Sequence, residues 1–128
     1  MNAPTLEHIN LTVKDPLETA EILIQIFGWK IRWQGEAIHG GFTVHVGSDN
    51  SYLALYTHEK TTTSPHESYQ QLHGLNHIGI VVDDLAAVEQ KVIDAGFTPH
   101  LHADYEPGSR FYFDDSDGLE FEVVSYRR

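Results

Sequence analysis

Two similar segments of the chain each open with a histidine, and the second lies 69 residues after the first. The first segment runs from His8 to Val13 and the second from His77 to Val82. Both are short and rich in β-branched residues, which is typical of a β-strand. A strand repeated in this way predicts that the chain contains two copies of one structural unit.

Each of these strands is followed by the pattern of a short amphipathic helix. After the first strand, Asp15 can cap the helix, Pro16 suits its first turn, and Gly28 suits its end. After the second strand, the pair 83–84 and Gly96 mark the same limits. The two glycines are 68 positions apart, so one residue has been lost between the strand and the end of the helix.

The 68-residue offset holds to the end of each copy. It aligns the turn at 48–50 with the turn at 116–118, and both contain residues that favour turns. It also aligns the alternating strand at 52–56 with the strand at 120–124. Each copy therefore predicts a βαβββ module, and the whole chain predicts an α+β protein.

The repeat also predicts how the chain is divided. We expect a single domain over residues 1–128, with module one at about 5–57 and module two at about 75–126. The stretch at about 58–74 is rich in threonine and histidine and contains Pro65, which is the composition of a linker.

Composition narrows the possible partners and ligands. The chain has 8 Lys and Arg against 19 Asp and Glu, a formal net charge of −11, which argues against nucleic acid or an anionic membrane as partner. No apolar run is long enough to span a bilayer and no signal-peptide pattern is present, so we expect a cytoplasmic protein. There is no cysteine, so a metal would have to be bound through nitrogen and oxygen atoms.

Three segments resemble the vicinal oxygen chelate superfamily, which includes glyoxalase I, bleomycin-resistance proteins, fosfomycin-resistance thiol transferases and extradiol dioxygenases. They are the His8 strand followed by residues 15–16, the start at 76–79, and the segment 111–122. The family's usual Asp-Pro-Asp-Gly turn is Asp-Ser-Asp-Gly here, at 115–118. The resemblance implies the glyoxalase/dioxygenase fold, in which two modules form cupped mixed sheets, and it implies a homodimer.

The resemblance also implies a metal site, with one ligand from the first and one from the last strand of each module. The four corresponding positions are His8, Ala54, His77 and Glu122. Alanine has no lone pair to donate, so the predicted ligands are two imidazoles and one carboxylate, with open positions for substrate or water. Such a set suits one divalent ion of Fe, Mn, Co, Ni or Zn. The alternative is a fold without metal, as in bleomycin-resistance relatives.

Strand alternation predicts which neighbours share a face with these ligands. Asn10 falls on the face of His8, and Gly79 on the face of His77. Asn10 is a catalytic candidate that could hydrogen-bond the substrate or a metal-bound water; the alternative is a purely local role. Gly79 would leave room for a substrate.

Four further side chains are candidates for the site. Tyr112 matches a pocket tyrosine of the fosfomycin transferases and would orient or protonate an oxyanion, unless it is only a half-buried strand residue. Arg110 has the same strand parity and would suit a substrate carboxylate or phosphonate, or pair with a surface acid. Tyr52 and Tyr56 flank Ala54, and their rings could fill the volume of the missing fourth ligand.

Together these features predict a metal-dependent enzyme that chelates a small oxygen-rich substrate. Dioxygenase-, lyase-, isomerase- and thiol-transferase-like reactions all stay open. The resemblance implies shared sites in a homodimer, with His8 from one subunit and His77 and Glu122 from the other. The alternative is a non-catalytic protein that binds an antibiotic or another small molecule in an aromatic cleft.

Overall fold

The computed structural model describes residues 3–63 and 67–127. The chain divides into two compact units, with the boundary in sequence between Thr62 and Thr63. Each unit has the element order strand, helix and three strands, which confirms the predicted βαβββ modules and the α+β class. Pro65, expected in the linker, lies outside the described residues.

The first unit is a four-stranded mixed sheet with one helix. The strand order is β1-β4-β3-β2, with β1 parallel to β4 and the other neighbours antiparallel. A short 3₁₀ turn at Ile38–Gly40 connects β2 to β3. The elements are β1 (His8–Thr12), α1 (Pro16–Phe27), β2 (Lys30–Glu36), β3 (Phe42–Gly47) and β4 (Tyr52–Thr57).

The second unit repeats this arrangement with the order β5-β8-β7-β6, in which β5 is parallel to β8. A 3₁₀ turn at Ser68–Gln70 precedes the first strand. That strand is shorter than the sequence predicts, and His77 lies directly before it. The elements are β5 (Ile78–Val81), α2 (Leu85–Asp94), β6 (His100–Tyr105), β7 (Gly108–Asp114) and β8 (Glu120–Ser125).

The strand register confirms how the two copies align. In the first unit Asn10 is the register partner of Ala54, and in the second unit Gly79 is the partner of Glu122. Asn10 and Gly79, 69 residues apart, are therefore equivalent in the two units, and so are Ala54 and Glu122, 68 residues apart. The alanine and the glutamate occupy the same position in two sheets of the same topology.

The helices begin and end as their residues predict. The carboxylates of Asp15 and Asp84 each accept a hydrogen bond from the backbone N–H three residues on, at 3.3 and 3.0 Å. Pro16 starts α1, and Gly28 closes it with φ 71°, a conformation that glycine adopts without strain. α1 has 12 residues and α2 has 10, and within the described ranges no helix is long and apolar enough to cross a bilayer.

Each helix packs on one face of the sheet in its own unit and leaves the other face uncovered by a helix. α1 contacts β3 and β4, and α2 contacts β7 and β8. Because side chains alternate along a strand, the strand residues next to a buried core residue point away from the helix. The buried residues are Ala20, Leu23, Ile26, Val44, Val46 and Leu55 in the first unit, and Val92, Phe111, Phe113, Phe121 and Val123 in the second.

Candidate functional site

The face of the second sheet that points away from α2 carries a dense group of ionisable side chains. We call it the acidic face. The register places Glu122 beside Tyr112, and Tyr112 beside His100. Asp114 is the register partner of Glu120 in the same two strands. The group consists of His77, His100, Arg110, Tyr112, Asp114, Glu120 and Glu122.

Glu122 is the centre of this group. Only 13% of its side chain is exposed. Its Oε2 accepts a hydrogen bond from Nη1 of Arg110 at 2.9 Å and another from the hydroxyl of Tyr112 at 3.2 Å. Its Oε1 faces Nε2 of His77 at 3.4 Å. Two residues predicted as metal ligands are therefore neighbours within this unit.

Tyr69, which is not among the residues predicted from the sequence, contacts both His77 and Glu120. The hydroxyl of Tyr69 donates to Oε1 of Glu120 at 3.3 Å and lies 3.2 Å from Nδ1 of His77. With the hydroxyl proton on the side of the glutamate, the tyrosine oxygen can accept from Nδ1–H of the imidazole. In a neutral imidazole Nε2 then has a free lone pair, and that lone pair lies on the side of Glu122.

This arrangement fits a divalent cation. A lone pair of His77 and a carboxylate oxygen of Glu122 face each other at 3.4 Å. Two ligand atoms that each lie about 2.1 Å from one metal ion are about 3 to 3.5 Å apart, so this distance suits a shared ion. Metal-binding histidines and carboxylates usually also hold an outer hydrogen-bond partner. Tyr69 has that position on the histidine, and Arg110 and Tyr112 have it on the glutamate.

Burial and charge keep the two outer partners of Glu122 protonated. Burial raises the pKa of Tyr112, and the neighbouring charge and hydrogen bond of Glu122 raise it further. For Arg110, burial works to lower the pKa, but the hydrogen bond to Glu122 and nearby groups raise it overall. The tyrosine therefore donates a proton at neutral pH rather than accepting one, and the arginine is a permanent cation.

Arg110 donates a hydrogen bond to Glu122 through one nitrogen, Nη1. Its Nε and Nη2 atoms are buried and have no hydrogen-bond partner among the described residues. The ring of Tyr105 lies against the guanidinium, with Cζ 4.9 Å from the ring centroid. The arginine thus pairs with a half-buried acid of the site and not with a surface acid.

A second group of possible ligands lies on the acidic face. His100, Asp114 and Glu120 can each offer one ligand atom, all within 4.8 Å of one another. Nε2 of His100 lies 3.7 Å from Oδ2 of Asp114, and it is buried without a hydrogen-bond partner among the described residues. The sequence analysis did not select the two acids. The spacing of two residues between Glu120 and Glu122 could have indicated that both point to the same face.

In the first unit, the open face of the sheet carries stacked rings. The side chain of His8 is 43% exposed, and its Nδ1 forms a hydrogen bond with Oε1 of Glu7 at 2.8 Å. Its ring stacks on Tyr52 with centroids 4.9 Å apart, and Tyr52 stacks on His45 at 4.6 Å. Trp33 lies next in the row, 5.3 Å from His45. The predicted ligand and one predicted pocket tyrosine are thus in contact.

His45 occupies the position in the first sheet that Tyr112 has in the second, since its register partner is Ala54. Burial lowers the pKa of His45, and the charges of His8 and Arg32 lower it further. A neutral imidazole at this position can accept a proton at neutral pH.

Three other predicted residues have different settings. Asn10 is exposed on the open face of the first sheet. A Cβ added at Gly79 would contact only Oε1 of Glu122, at 3.8 Å, so the glycine keeps that oxygen uncovered. The hydroxyl of Tyr56 donates to the carbonyl of Ile38 at 2.8 Å, so the structure commits it to the backbone.

The structure thus brings together four of the predicted residues in the second unit: His77, Arg110, Tyr112 and Glu122. In the first unit it brings His8 onto Tyr52, whereas the hydroxyl of Tyr56 is occupied elsewhere.

Comparison with known proteins agrees with this architecture. The sequence profile of the Glyoxalase/Bleomycin resistance protein/Dioxygenase superfamily matches residues 5–123. None of the curated proteins matches the chain in sequence.

Several solved structures share the fold at low identity. A glyoxylase/bleomycin resistance protein/dioxygenase domain from Frankia sp. EAN1pec is 20% identical, with a TM-score of 0.81 over 97% of this chain and 98% of that chain. A mutant of the fosfomycin resistance protein FosX from Listeria monocytogenes, complexed with Mn(II) and 1S,2S-dihydroxypropylphosphonic acid, is 17% identical, with a TM-score of 0.71 over 96% and 93%. TnmS3, an antibiotic binding protein from Streptomyces sp. CB03234, is 16% identical, with a TM-score of 0.73 over 98% of both chains.

Proposed function

Because the chain belongs to the glyoxalase/bleomycin resistance protein/dioxygenase superfamily, we propose that it is a metal-dependent enzyme acting on a small molecule with adjacent oxygen atoms. The observation that carries the proposal is the pair of electron donors on the acidic face. Nε2 of His77 and Oε1 of Glu122 lie 3.4 Å apart, and hydrogen bonds to other atoms hold both side chains in place. His8 of the first unit is proposed as the third ligand.

The ion would be one of Fe, Mn, Co, Ni or Zn, which nitrogen and oxygen ligands accept. When bound, it would supply Lewis acidity that stabilises negative charge on a chelating oxygen of the substrate. The relative FosX is known with Mn(II) bound, which supports a divalent ion in this fold.

The chain's own residues have separate roles in this proposal. Tyr112 keeps its proton and donates a hydrogen bond to Oε2 of Glu122 at 3.2 Å, and a substrate oxyanion would replace this carboxylate oxygen as the acceptor. Arg110 neutralises the carboxylate of Glu122 and orients it. Gly79 leaves space for the substrate beside that carboxylate. Asn10 is proposed to hydrogen-bond the substrate.

Dioxygenase-, lyase-, isomerase- and thiol-transferase-like reactions are each compatible with this set of residues. All of them need an oxygen-chelating substrate and a group that manages a proton, and the proposal assigns the proton to Tyr112. We further propose a homodimer in the cytoplasm with shared sites, as the resemblance implies.

A second function, the binding of an antibiotic or another small molecule without catalysis, is favoured by one observation. The rings of His8, Tyr52, His45 and Trp33 form a continuous row in the first unit. Such rings offer flat surfaces on which a planar ligand can stack. TnmS3, which binds an antibiotic, shares the fold.

Metal analysis separates the two functions. We expect the untagged protein, loaded with each of the five ions and desalted, to retain about one equivalent of at least one of them by elemental mass spectrometry. Glu122→Gln removes the charge but not the shape of the ligand, and it should weaken metal binding by roughly 10- to 100-fold or more. Glu21→Gln, the same change at an exposed glutamate of α1, is the control and should retain the metal. Glu120→Gln tests the second group of possible ligands.

Other outcomes would redirect the proposal. Loss of metal in Glu120→Gln but not in Glu122→Gln would place the ion in the group with His100 and Asp114. A wild-type protein that stays empty with all five ions would contradict the metal-dependent function and favour the binding function.

A further inference from the structure

The first unit contains a cavity that the proposed metal site does not use. Its volume is about 440 Å³. Thr12 and Tyr56, which are register partners at the ends of the parallel strands β1 and β4, form part of its wall. The other lining residues come from the turn after β2 and the segment after β4: His39, His58, Lys60, Thr61 and Thr62.

The side chains that line this cavity include hydrogen-bond donors and one cation, Lys60. The backbone N–H of Lys60 donates to Nδ1 of His58 at 3.1 Å, so a neutral His58 carries its proton on Nε2 and can donate it. Oγ1 of Thr61 accepts from the backbone N–H of His58 at 3.1 Å, which leaves the hydroxyl proton for another acceptor. Within the described parts of the chain, the ammonium group of Lys60 forms no ion pair.

The charge of this cavity is opposite to that of the molecule. The chain carries 19 acidic residues and 8 Lys and Arg, yet the described lining contains one lysine, two histidines and no carboxylate. His39 has φ 60°, a left-handed conformation that costs energy for a residue with a side chain. The fold therefore holds an imidazole at the cavity in spite of local strain.

We propose that this cavity binds the oxyanion of a small-molecule ligand, such as a phosphate, phosphonate or carboxylate group. Lys60 supplies a full positive charge, and the histidines and threonines supply N–H and O–H donors, which is the chemistry that recognises such groups. Tyr56 contributes its ring but not its hydroxyl proton, which is donated to the carbonyl of Ile38.

This step rests on the proposed function. Together with the proposed metal site, the cavity indicates where two groups of the substrate would bind. Thr12 follows His8 by four residues on the same strand and the same face. An extended strand advances about 3.3 Å per residue, so the cavity begins about 13 Å from the proposed metal ligand. The substrate would carry chelating oxygens at one end and an anionic group at the other.

Titration of the full chain with inorganic phosphate, followed by NMR at constant ionic strength, tests the cavity without any metal or substrate. We expect saturable shifts of the backbone amides of residues 58–62 and 39. Lys60→Ala should weaken phosphate binding on the order of tenfold, and Lys60→Arg should restore most of it. Lys91→Ala, which removes an exposed lysine from α2, is the matched control and should bind as the wild type does. A parallel titration with acetate shows whether a carboxylate serves as well as a phosphate.

Non-saturating shifts in the wild-type protein, or equal losses in Lys60→Ala and Lys91→Ala, would overturn the inference. The metal site can be tested separately in the same preparations. His77→Ala should lose metal and keep phosphate binding, so a protein that binds phosphate but no metal contradicts only the proposed function. A protein that binds metal but no phosphate contradicts only the cavity.

Discussion

Glu122 and His77 are contacted by side chains that do not belong to the predicted ligand set. Arg110 and Tyr112 hold one oxygen of Glu122, so the other oxygen stays directed at the histidine. The hydroxyl of Tyr69 lies 3.2 Å from the far nitrogen of that histidine and can accept a hydrogen bond from it. Positioning of this kind is what makes a carboxylate and an imidazole useful as ligands.

Removal of one hydroxyl group tests this arrangement. In Tyr69→Phe, Nδ1 of His77 loses its partner, and we expect the dissociation constant for the metal to rise by roughly 10- to 100-fold. Competition with a metal-binding fluorescent chelator measures the change. Tyr126→Phe removes the hydroxyl of an exposed tyrosine and is the control. Equal affinities in both variants would mean that Tyr69 does not position the ligand.

At the level of elements, the parallel pairing of the first and last strand of each unit builds the sites. This pairing makes Gly79 the register partner of Glu122, although the two residues are far apart in sequence. The turn between β7 and β8 connects the antiparallel pair in which Tyr112 lies beside Glu122. Oδ1 of Asp115 accepts hydrogen bonds from the backbone N–H groups of Asp117 and Leu119, both at 2.9 Å.

The turn carboxylate predicts a pH dependence of stability. Burial raises the pKa of Asp115 above 3.8, although the backbone hydrogen bonds from Leu119 and Asp117 work to lower it. The folded protein therefore binds this proton more tightly than the unfolded chain, and ionisation of Asp115 costs stability as the pH rises from about 3.8 through the raised value. In Asp115→Asn the amide oxygen can accept both hydrogen bonds without a charge. We expect the variant to be more stable than the wild type at pH 7, with the gain disappearing at low pH.

Urea denaturation between pH 3 and pH 8 measures this effect, and Asp49→Asn provides the opposite case. The hydrogen bond and charge of Lys30 lower the pKa of Asp49, so its contribution to stability is present at neutral pH and is lost as the pH falls. The Asp49→Asn substitution should therefore reduce stability at pH 7 and have no effect in acid. If the stability of both variants relative to the wild type changed with pH in the same direction, burial would not control the pKa of Asp115.

At the level of the whole molecule, the two βαβββ units share one topology but carry different side chains on their open faces. Where the second unit has Glu122 and Glu120, the first has Ala54 and Tyr52 in the same register positions. One open face is therefore acidic, and the other carries stacked rings. The first unit has no carboxylate at these two positions, and the resemblance implies His8 as its ligand, so His8 is the residue proposed as the third ligand.

Mixing two inactive variants tests whether the proposed site is shared between subunits of a homodimer. His8→Ala and His77→Ala should each lose most of the bound metal. If subunits exchange at random, about half of the dimers contain one chain of each kind, and one of their two sites is intact. We expect the mixture to recover about a quarter of the wild-type metal content. Sites made by one chain alone would give no recovery.

Much of the architecture could be predicted from local features of the sequence. The caps at Asp15 and Asp84 and the left-handed glycine at Gly28 depend on neighbouring residues, so the sequence predicts the helices closely. The repeat offset predicts that Ala54 and Glu122 are equivalent, and the register confirms it. The first residue of β5 is less predictable, because the point at which a strand begins depends on its pairing with the partner strand.

The sequence by itself determined the two βαβββ modules, the helix limits and the equivalence of Ala54 and Glu122. Only the tertiary structure decided that Tyr69 holds the histidine, that Arg110 pairs with Glu122, and that His100 joins two acids on the same face. The physical reason is that caps and strand periodicity act over a few residues along the chain. Contacts between side chains depend instead on strand register and rotamers, which bring together residues that are distant in sequence.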